Sequence, residues 1–303
     1  YSLFGQTRPI PKNEGTKINF RRYSALSAAT TALTEGVTPT GSQLSATDIN
    51  ATIGQYGDYV TISDVLQDVG LDPILIEAGE VLGEQAGLTL DTLHRNTIVA
   101  GTTLRRAGGV TNRNQIVTAI ADSDLKKAVR VLEGNNAKKH REMIKPGVKI
   151  STSPIRAAYI GITHTDCRQD IEALAGFVPV EKYASTGNLL PQEIGECRGV
   201  RFCTTTNARV WADTGGSAAT NSLVYTTADS ACDVYSTLIL AKNAFGVVPL
   251  SKKSIKNFIE KAGSAGTSDP LHQRSTSGWK AYTVAKILND DFMIRIEHGV
   301  SDL

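Results

Sequence analysis

The stretch from Asp72 to Gly109 constrains this chain most, because its spacing predicts one long helix. Asp72 followed by Pro73 sets a capping residue before a proline at the first helical position, where the missing N–H costs nothing. Ile74, Ala78, Val81, Leu82, Ala86, Leu90 and Leu93 then recur at three- and four-residue steps, on one face of a 3.6-period helix. Glu77, Glu80 and Glu84 lie toward its start and Arg95, Arg105 and Arg106 toward its end, which complements the helix dipole. Gly108 and Gly109 stop the pattern. About 35 residues at 1.5 Å each would give a rod of roughly 50 Å, long enough to serve as a spine for a domain of this size.

Gly79, Gly83 and Gly87 repeat every four residues on that helix, although each costs about 1 kcal/mol relative to alanine in a helix interior. Something must come close there. Two accounts stay open: a neighbouring subunit packing on the ridge, or close packing within the chain. A membrane-type glycine face is excluded by the three glutamates in the same turns.

Ahead of the helix the chain is thin in apolar residues. Tyr1 to Thr16, with Pro9, Pro11, Asn13 and Gly15, reads as an extended arm without a core element. Lys17 to Tyr23 alternates polar and apolar and reads as a strand, and Ile49 to Gln55 with Tyr59 to Ile62 reads as its partner. The Ser-, Thr-, Ala- and Gly-rich segment between them is too long and polar for a hairpin loop in a compact domain. A lone two-stranded ribbon is marginal in water. It must dock on its own domain or on an adjacent subunit.

After the spine, Asp122 or Ser123 is expected to cap a helix with Leu125, Ala128, Val129 and Leu132 inward, running to about His140. Lys126, Lys127, Arg130, Lys138, Lys139, Arg141, Lys145 and Lys149 make this stretch basic. Such a face suits phosphate contacts or simple solvation. Beyond Ile155 short strands and helices mix: Ala157 to Ile162, Asp166 to Ala175 closed by Gly176, Gly199 to Cys203 and Ala208 to Ala212, then a loop from Asp213 to Ser222. Asp233 to Ala241 fits a helix or a buried strand equally. After a polar segment from Gly263 to Asp269 come Trp279 to Leu288, a turn at Asn289 and Asp290, and a strand from Phe292 to Glu297. The class is α+β, without repeated βαβ units.

Composition narrows function mainly by exclusion. The 303 residues carry 32 basic and 30 acidic side chains, a net charge of +2, so overall charge singles out neither nucleic acid nor membrane. Apolar runs such as Leu238 to Ala241 fall far short of a membrane span, and the polar, proline-rich start shows no secretion signal. Cys167, Cys197, Cys203 and Cys232 have no metal-type spacing and suit free thiols in a reducing compartment. No cofactor motif occurs, and His94, His140, His272 and His298 form no metal-ligand pair. Asn50 to Thr52 is an isolated glycosylation sequon. His164, Asp166 and Cys167 are the one candidate for an activated thiol, set against a bland account in which these polar groups cap a short helix.

Several local sequences carry a family resemblance: Pro11 to Asn13 with Gly15; Phe20 to Tyr23; Leu33, Thr34, Glu35, Gly36, Val37; Gln55, Tyr56, Gly57; Ser63, Asp64; Ser268, Asp269, Pro270, Leu271; and Gly278, Trp279, Lys280. Together with the order of elements, the chain resembles the major capsid proteins of tailed double-stranded DNA phages with the HK97-like fold, in particular the N4-like capsid subfamily. The resemblance implies an N-terminal arm (1–16), an extended β-hairpin loop (17–64) lying over a neighbour, and a peripheral domain with the spine helix (65–150). It further implies an axial domain (151–275) and a terminal hairpin (276–303) returning to the peripheral domain. The function implied is structural: hexamers and pentamers of an icosahedral shell around phage DNA, assembled in the host cytoplasm and ending in the virion, with copies of itself as main partners. Scaffold, portal and decoration proteins are further implied partners. Lys17, Arg21, Arg22, Tyr23, Glu35, Gly79, Gly83 and Gly87 are then expected at subunit contacts, and Lys126, Lys127 and Arg130 toward DNA. No Lys, Asn and acid set is matched for subunit crosslinking. An encapsulin-like nanocompartment shell keeps the fold with a different cargo, and a Cys167/His164 enzyme is the alternative from another class.

Overall fold

A computed structural model describes residues 1–11, 13–69, 73–145, 152–185, 189–217, 231–250, 255–264 and 269–302. In chain order the elements are β1 (Gln6–Thr7), β2 (Lys17–Tyr23), β3 (Ala46–Thr52), β4 (Gly54–Ser63), α1 (Asp64–Val69), α2 (Ile74–Val99) and β5 (Leu104–Arg106). Next come α3 (Asp122–Gly134), β6 (Tyr159–His164), α4 (Arg168–Glu172), β7 (Val178–Pro179), β8 (Glu193–Cys197), β9 (Val200–Thr205) and β10 (Val210–Trp211). The chain closes with β11 (Val234–Leu240), β12 (Phe245–Pro249), β13 (Ile255–Glu260), β14 (Arg274–Ile287) and β15 (Met293–His298).

Among the described residues these strands form three sheets. One runs β5-β15-β11-β6-β9-β8-β7, with β10 also on β11; a second runs β1-β12-β14-β13, with β4 on the other edge of β14; β2 and β3 stand as a separate pair. Both large sheets mix segments far apart in sequence, so the boundaries at 151 and 275 are not boundaries between sheets. Within the undecided run Asp233 to Ala241, Val234–Leu240 forms the inner strand β11, buried at every position. Sandwiched sheets favour such continuous apolar runs.

The spine helix is shorter than its pattern predicts. It covers 26 residues from Ile74 to Val99, about 39 Å, and Arg105 and Arg106 lie in β5, paired in parallel with β15. Tertiary hydrogen bonds end it. Asp290 accepts from the Thr102 and Thr103 amides at 3.0–3.1 Å, and the Arg295 guanidinium donates to the Val99 carbonyl. At Gly101 a Cβ would sit 2.3 Å from the Met293 side chain and 2.8 Å from the Asp290 carboxylate, so a glycine lets these groups close over the helix end. Gly108 and Gly109, both at positive φ, shape a later turn. At the other end Pro73 is the N-cap residue itself; Asp72 lies outside the described residues. Leu82 and Ala86 pack on Trp279 and Ala281 of β14, and Nε2 of His94 lies 3.0 Å from Thr283 Oγ1. Val81, expected on that face, is exposed.

Four further expectations need correction. Residues 1–16 are not only an arm: Phe4 and Ile10 are buried, and β1 pairs in parallel with β12. The partner of Lys17–Tyr23 is Ala46–Thr52 alone, while Gly54–Ser63 pairs along ten residues with β14. Gly57 permits this, since a Cβ there would lie 2.5 Å from the Trp279 carbonyl oxygen. No terminal hairpin forms, because the Leu288 and Asn289 amides bond to the Ala244 carbonyl and send β15 into the other sheet, against β11. The basic helix stops at Gly134, with Ala121 as N-cap; Arg141 and Ile144 instead bridge to Ala158 and Ile155.

The main core gathers Leu125, Ala128 and Leu132 of α3 against Tyr159, Phe202, Ile239, Ile294 and Ile296 of the eight-stranded sheet. Removing the Asp290 carboxylate would leave the Thr102 and Thr103 amides without their acceptor. Asp290→Ala is expected to lower unfolding free energy by about 1–3 kcal/mol, read as a lower urea midpoint with unchanged slope.

Burial depresses the pKa of His298, which is fully buried, and of His94 and His140. Nδ1 of His298 donates to the Gly299 carbonyl at 2.7 Å, and Nε2 faces Thr237 Oγ1 at 2.8 Å. Between the lowered folded values and the unfolded value near 6.5, the unfolded chain binds more protons, so stability falls as pH drops through that window. Urea midpoints measured at pH 7.5 and at pH 5.5 are expected to show this loss, with a smaller loss in His298→Gln.

Candidate subunit interface

The ribbon β2–β3 is anchored at its base. Phe20 and Ala51 are buried with Ile10, Val248 and Leu288, and Arg22 Nη1 donates to Asn289 Oδ1 at 2.8 Å. Arg21 lies directly opposite Asp48 and bonds to it at 2.9 Å; that bond raises the guanidinium pKa. So Arg21 and Arg22 hold the ribbon itself, and Lys17 and Tyr23 lie exposed on it. Beyond Tyr23 every residue from 24 to 45 is exposed. Leu26, Leu33, Val37 and Leu44 are open to solvent, Leu33 at 78%, and Glu35 sits in a turn with Gly36 at φ +76° closed by the Val37 amide on Thr34. Composition explains the reach, since a polar, small-residue segment lacks the apolar surface to fold back on its own chain.

Gly79, Gly83 and Gly87 face away from the core. Among the described residues a Cβ added at any of them would meet nothing within 4 Å, so close packing against those residues does not account for the ridge. Ile76, Val81 and Leu88 are exposed on the same helix, as are Glu77, Glu80 and Glu84. The result is a long convex face of bare backbone, isolated apolar groups and carboxylates.

On α3 the side chains of Lys126, Lys127 and Arg130 are exposed. Lys126 is held by Asp122, which also takes Arg198 at 2.7 Å; these bonds lower the Asp122 pKa. Lys139 pairs with Glu133 at 3.2 Å. The basic stretch is therefore partly neutralised and is not one helix face; Lys149 lies outside the described residues.

The thiol candidate does not form a nucleophile. Cys167 is buried, and burial first, with nearby Asp166 and Asp170 adding, pushes its pKa up to about 12, whereas reactive thiols need the thiolate. His164 Nδ1 accepts instead from the Asp166 amide at 3.3 Å, capping the turn that follows. Cys197 and Cys203 are likewise raised by burial, to about 11 and about 12. Among the described residues no group of three His, Cys, Asp or Glu could hold a metal ion, and no helix is long and apolar enough to cross a membrane.

Sequence patterning missed two buried ion clusters. Arg201 and Glu193, each side chain 1% exposed, form a bidentate pair with both N···O distances 2.6 Å, and Tyr183 donates to Glu193 at 3.0 Å. Glu297 falls on the outward phase of its strand's alternation yet is fully buried, paired with Arg106, Arg113 and Arg295. Burial pulls its pKa up, but Arg113, Arg295 and Arg106 prevail and hold it below the usual value. A charged residue inside an alternating strand was the only sign available.

No family model matches the sequence, and no curated protein does. Solved structures do match. The capsid of Ralstonia phage GP4 superposes with TM-score 0.67 at 13% identity, covering 100% of this chain and 91% of that one. The capsid structure of cyanophage P-SCSP1u gives 0.63 at 16% identity, covering 98% and 87%. The head structure of Helicobacter pylori bacteriophage KHP40 gives 0.65 at 11% identity, covering 97% and 87%.

The glycine ridge generates its own test. With open space around each Cβ, Gly83→Ala is expected to stabilise the isolated chain by about 1 kcal/mol through helix propensity, measured as a higher urea midpoint. A drop would show that the space is not open. Across nearly its whole length the chain has the α+β fold of phage capsid proteins, consistent with the HK97-like architecture.

Proposed function

We propose that this chain is a structural capsid protein of a tailed phage, which self-assembles into hexamers and pentamers of a shell around double-stranded DNA. The observation that carries this is the ribbon tip, residues 24–45, exposed throughout and tipped with apolar side chains on a fold shared with phage capsids over nearly the full chain. Such a tip gains stability by lying on a second surface. The glycine ridge with Ile76, Val81 and Leu88 supplies a surface of the right kind, accessible to a close-lying backbone. Lys17, Tyr23, Glu35, Gly79, Gly83 and Gly87 are the contact residues in this reading, with Arg21 and Arg22 fixing the ribbon. Lys127 and Arg130, exposed on α3, are assigned to the DNA side with Lys126. The local sequence matches favour the N4-like subfamily, a peripheral domain over 65–150 and an axial domain over 151–275. Assembly would take place in the host cytoplasm, with the virion capsid as destination and scaffold, portal and decoration proteins as further partners.

A structural role also fits the buried, protonated Cys167. Electron microscopy and sedimentation of the expressed chain test the proposal. Closed shells, or rings of six and five, are expected, and a variant with residues 26–43 replaced by a short Gly-Ser turn should fold to the same circular-dichroism spectrum yet form neither. A uniform monomer or dimer across salt conditions would overturn it. Nucleic acid in shells purified from the native source is expected; shells holding protein cargo instead would turn the assignment to a nanocompartment.

A further inference from the structure

Strand β10 sets Trp211, half-buried, opposite Val234 of β11, and arginines gather around its ring. The Arg113 guanidinium carbon lies 3.9 Å from the ring centroid, and those of Arg209 and Arg295 lie 5.7 Å from it. Arg106 joins them through Glu297, which pairs with Arg113 at 2.6 Å, with Arg295 at 3.1 Å and with Arg106 at 3.2 Å. Among the described residues, Glu297 is the carboxylate paired with this group. Four guanidiniums against one carboxylate leave three positive charges over.

Backbone carbonyls answer part of that surplus. Arg295 donates to Val99, at the negative end of α2, and Arg106 donates to Thr111. The remainder is turned toward solvent: the Arg113 and Arg106 side chains are 29% and 22% exposed, and Arg209 is exposed. Arg295 Nε, although 3.1 Å from Glu297, is buried without a hydrogen-bond partner among the described residues. The bonds of Arg106, Arg113 and Arg295 among those residues leave Arg106 Nη2, Arg113 Nη1 and Arg295 Nη2 without an acceptor, and the side-chain donors of Arg209 have none there either. Holding like charges together in a half-buried place costs free energy unless a counter-charge completes the cluster.

We propose that Arg106, Arg113, Arg209 and Trp211 form a binding site for a phosphate group, either free or within a nucleic-acid backbone. A carboxylate would bring one charge and two oxygens in a plane. Phosphate brings up to two charges and oxygens spread tetrahedrally, which suits donors arriving from β5, from the turn at Arg113 and from the loop before β10. The stacked Arg113 is preorganised by the indole face, so little of its freedom is lost on binding. The site is built within one chain and does not rest on shell formation.

Trp211 reports on the site, since the chain has only two tryptophans and the other, Trp279, is packed against α2. The unassembled full chain is titrated with inorganic phosphate at constant ionic strength, with acetate as the carboxylate control. A saturable change in tryptophan emission is expected with phosphate, absent in Trp211→Phe and about tenfold weaker in Arg209→Gln. The hydrogen bonds of Arg209 among the described residues run through its backbone carbonyl, which accepts from the Ser236 amide and hydroxyl, so Arg209→Gln should keep the wild-type urea midpoint. A short duplex DNA forms the second arm. Binding that competes with phosphate, with a salt slope lowered by about one in Arg209→Gln, identifies the nucleic-acid backbone as the source; duplex that does not compete identifies free phosphate. Emission that responds to phosphate no more than to acetate, or Arg209→Gln titrating like wild type, overturns the site.

Discussion

The junction at the end of the spine helix holds the two large sheets in one molecule. Asp290 closes over the amides that follow α2, and Arg295 takes the helix's last carbonyls. Asp290 and Arg295 flank the start of β15, which pairs with β11 inside the eight-stranded sheet, while the body of α2 lies on β14 of the five-stranded sheet. A helix end presents unsatisfied carbonyls and a partial negative charge, so the half-buried Arg295 there satisfies both demands at once. Without this junction the helix would have no defined end, and its angle to β15 would be set only by side-chain packing.

Arg295 also belongs to the Glu297 cluster, and the two roles depend on each other. Its Nη1 faces the helix carbonyls while its Nε stands beside the carboxylate. Burial lowers its pKa, and Arg113 and Arg106 push the same way against the Glu297 charge. Glu297 is thus less a partner in a simple ion pair than the anion that permits several guanidiniums to share one region. Removing one member of a buried set of this kind leaves charge uncompensated, which costs more than the pair contributes when complete. The Arg201–Glu193 pair, sealed by Tyr183, follows the same rule.

Stability is distributed unevenly as a consequence. The sheets and α3 enclose a dense apolar core, whereas the ribbon from residue 24 to 45 is exposed throughout and the glycine ridge of α2 has open space around it among the described residues. Surfaces of the second kind lower free energy only when another body covers them. An assembly component needs this division, since its body must fold before its contacts exist.

Local pattern was enough for elements whose partners lie close by or whose faces repeat. The apolar steps of α2, the Lys17–Tyr23 strand, the inward residues of α3 and the exposure of the ribbon tip all follow from spacing and composition in the residues themselves. The glycine repeat was visible too, but whether it faced inward or outward was not, because a Cβ-free ridge is equally suited to either. What the tertiary structure alone decided are long-range pairings: Gly54–Ser63 with β14, β15 with β11, Phe4 and Ile10 in the core, and the early end of α2 at Gly101. Each depends on a hydrogen-bond partner or a steric limit supplied by a segment distant in sequence, such as Asp290 and Met293 at Gly101. Periodicity records which face of an element is apolar; it holds no information about which other element will meet that face.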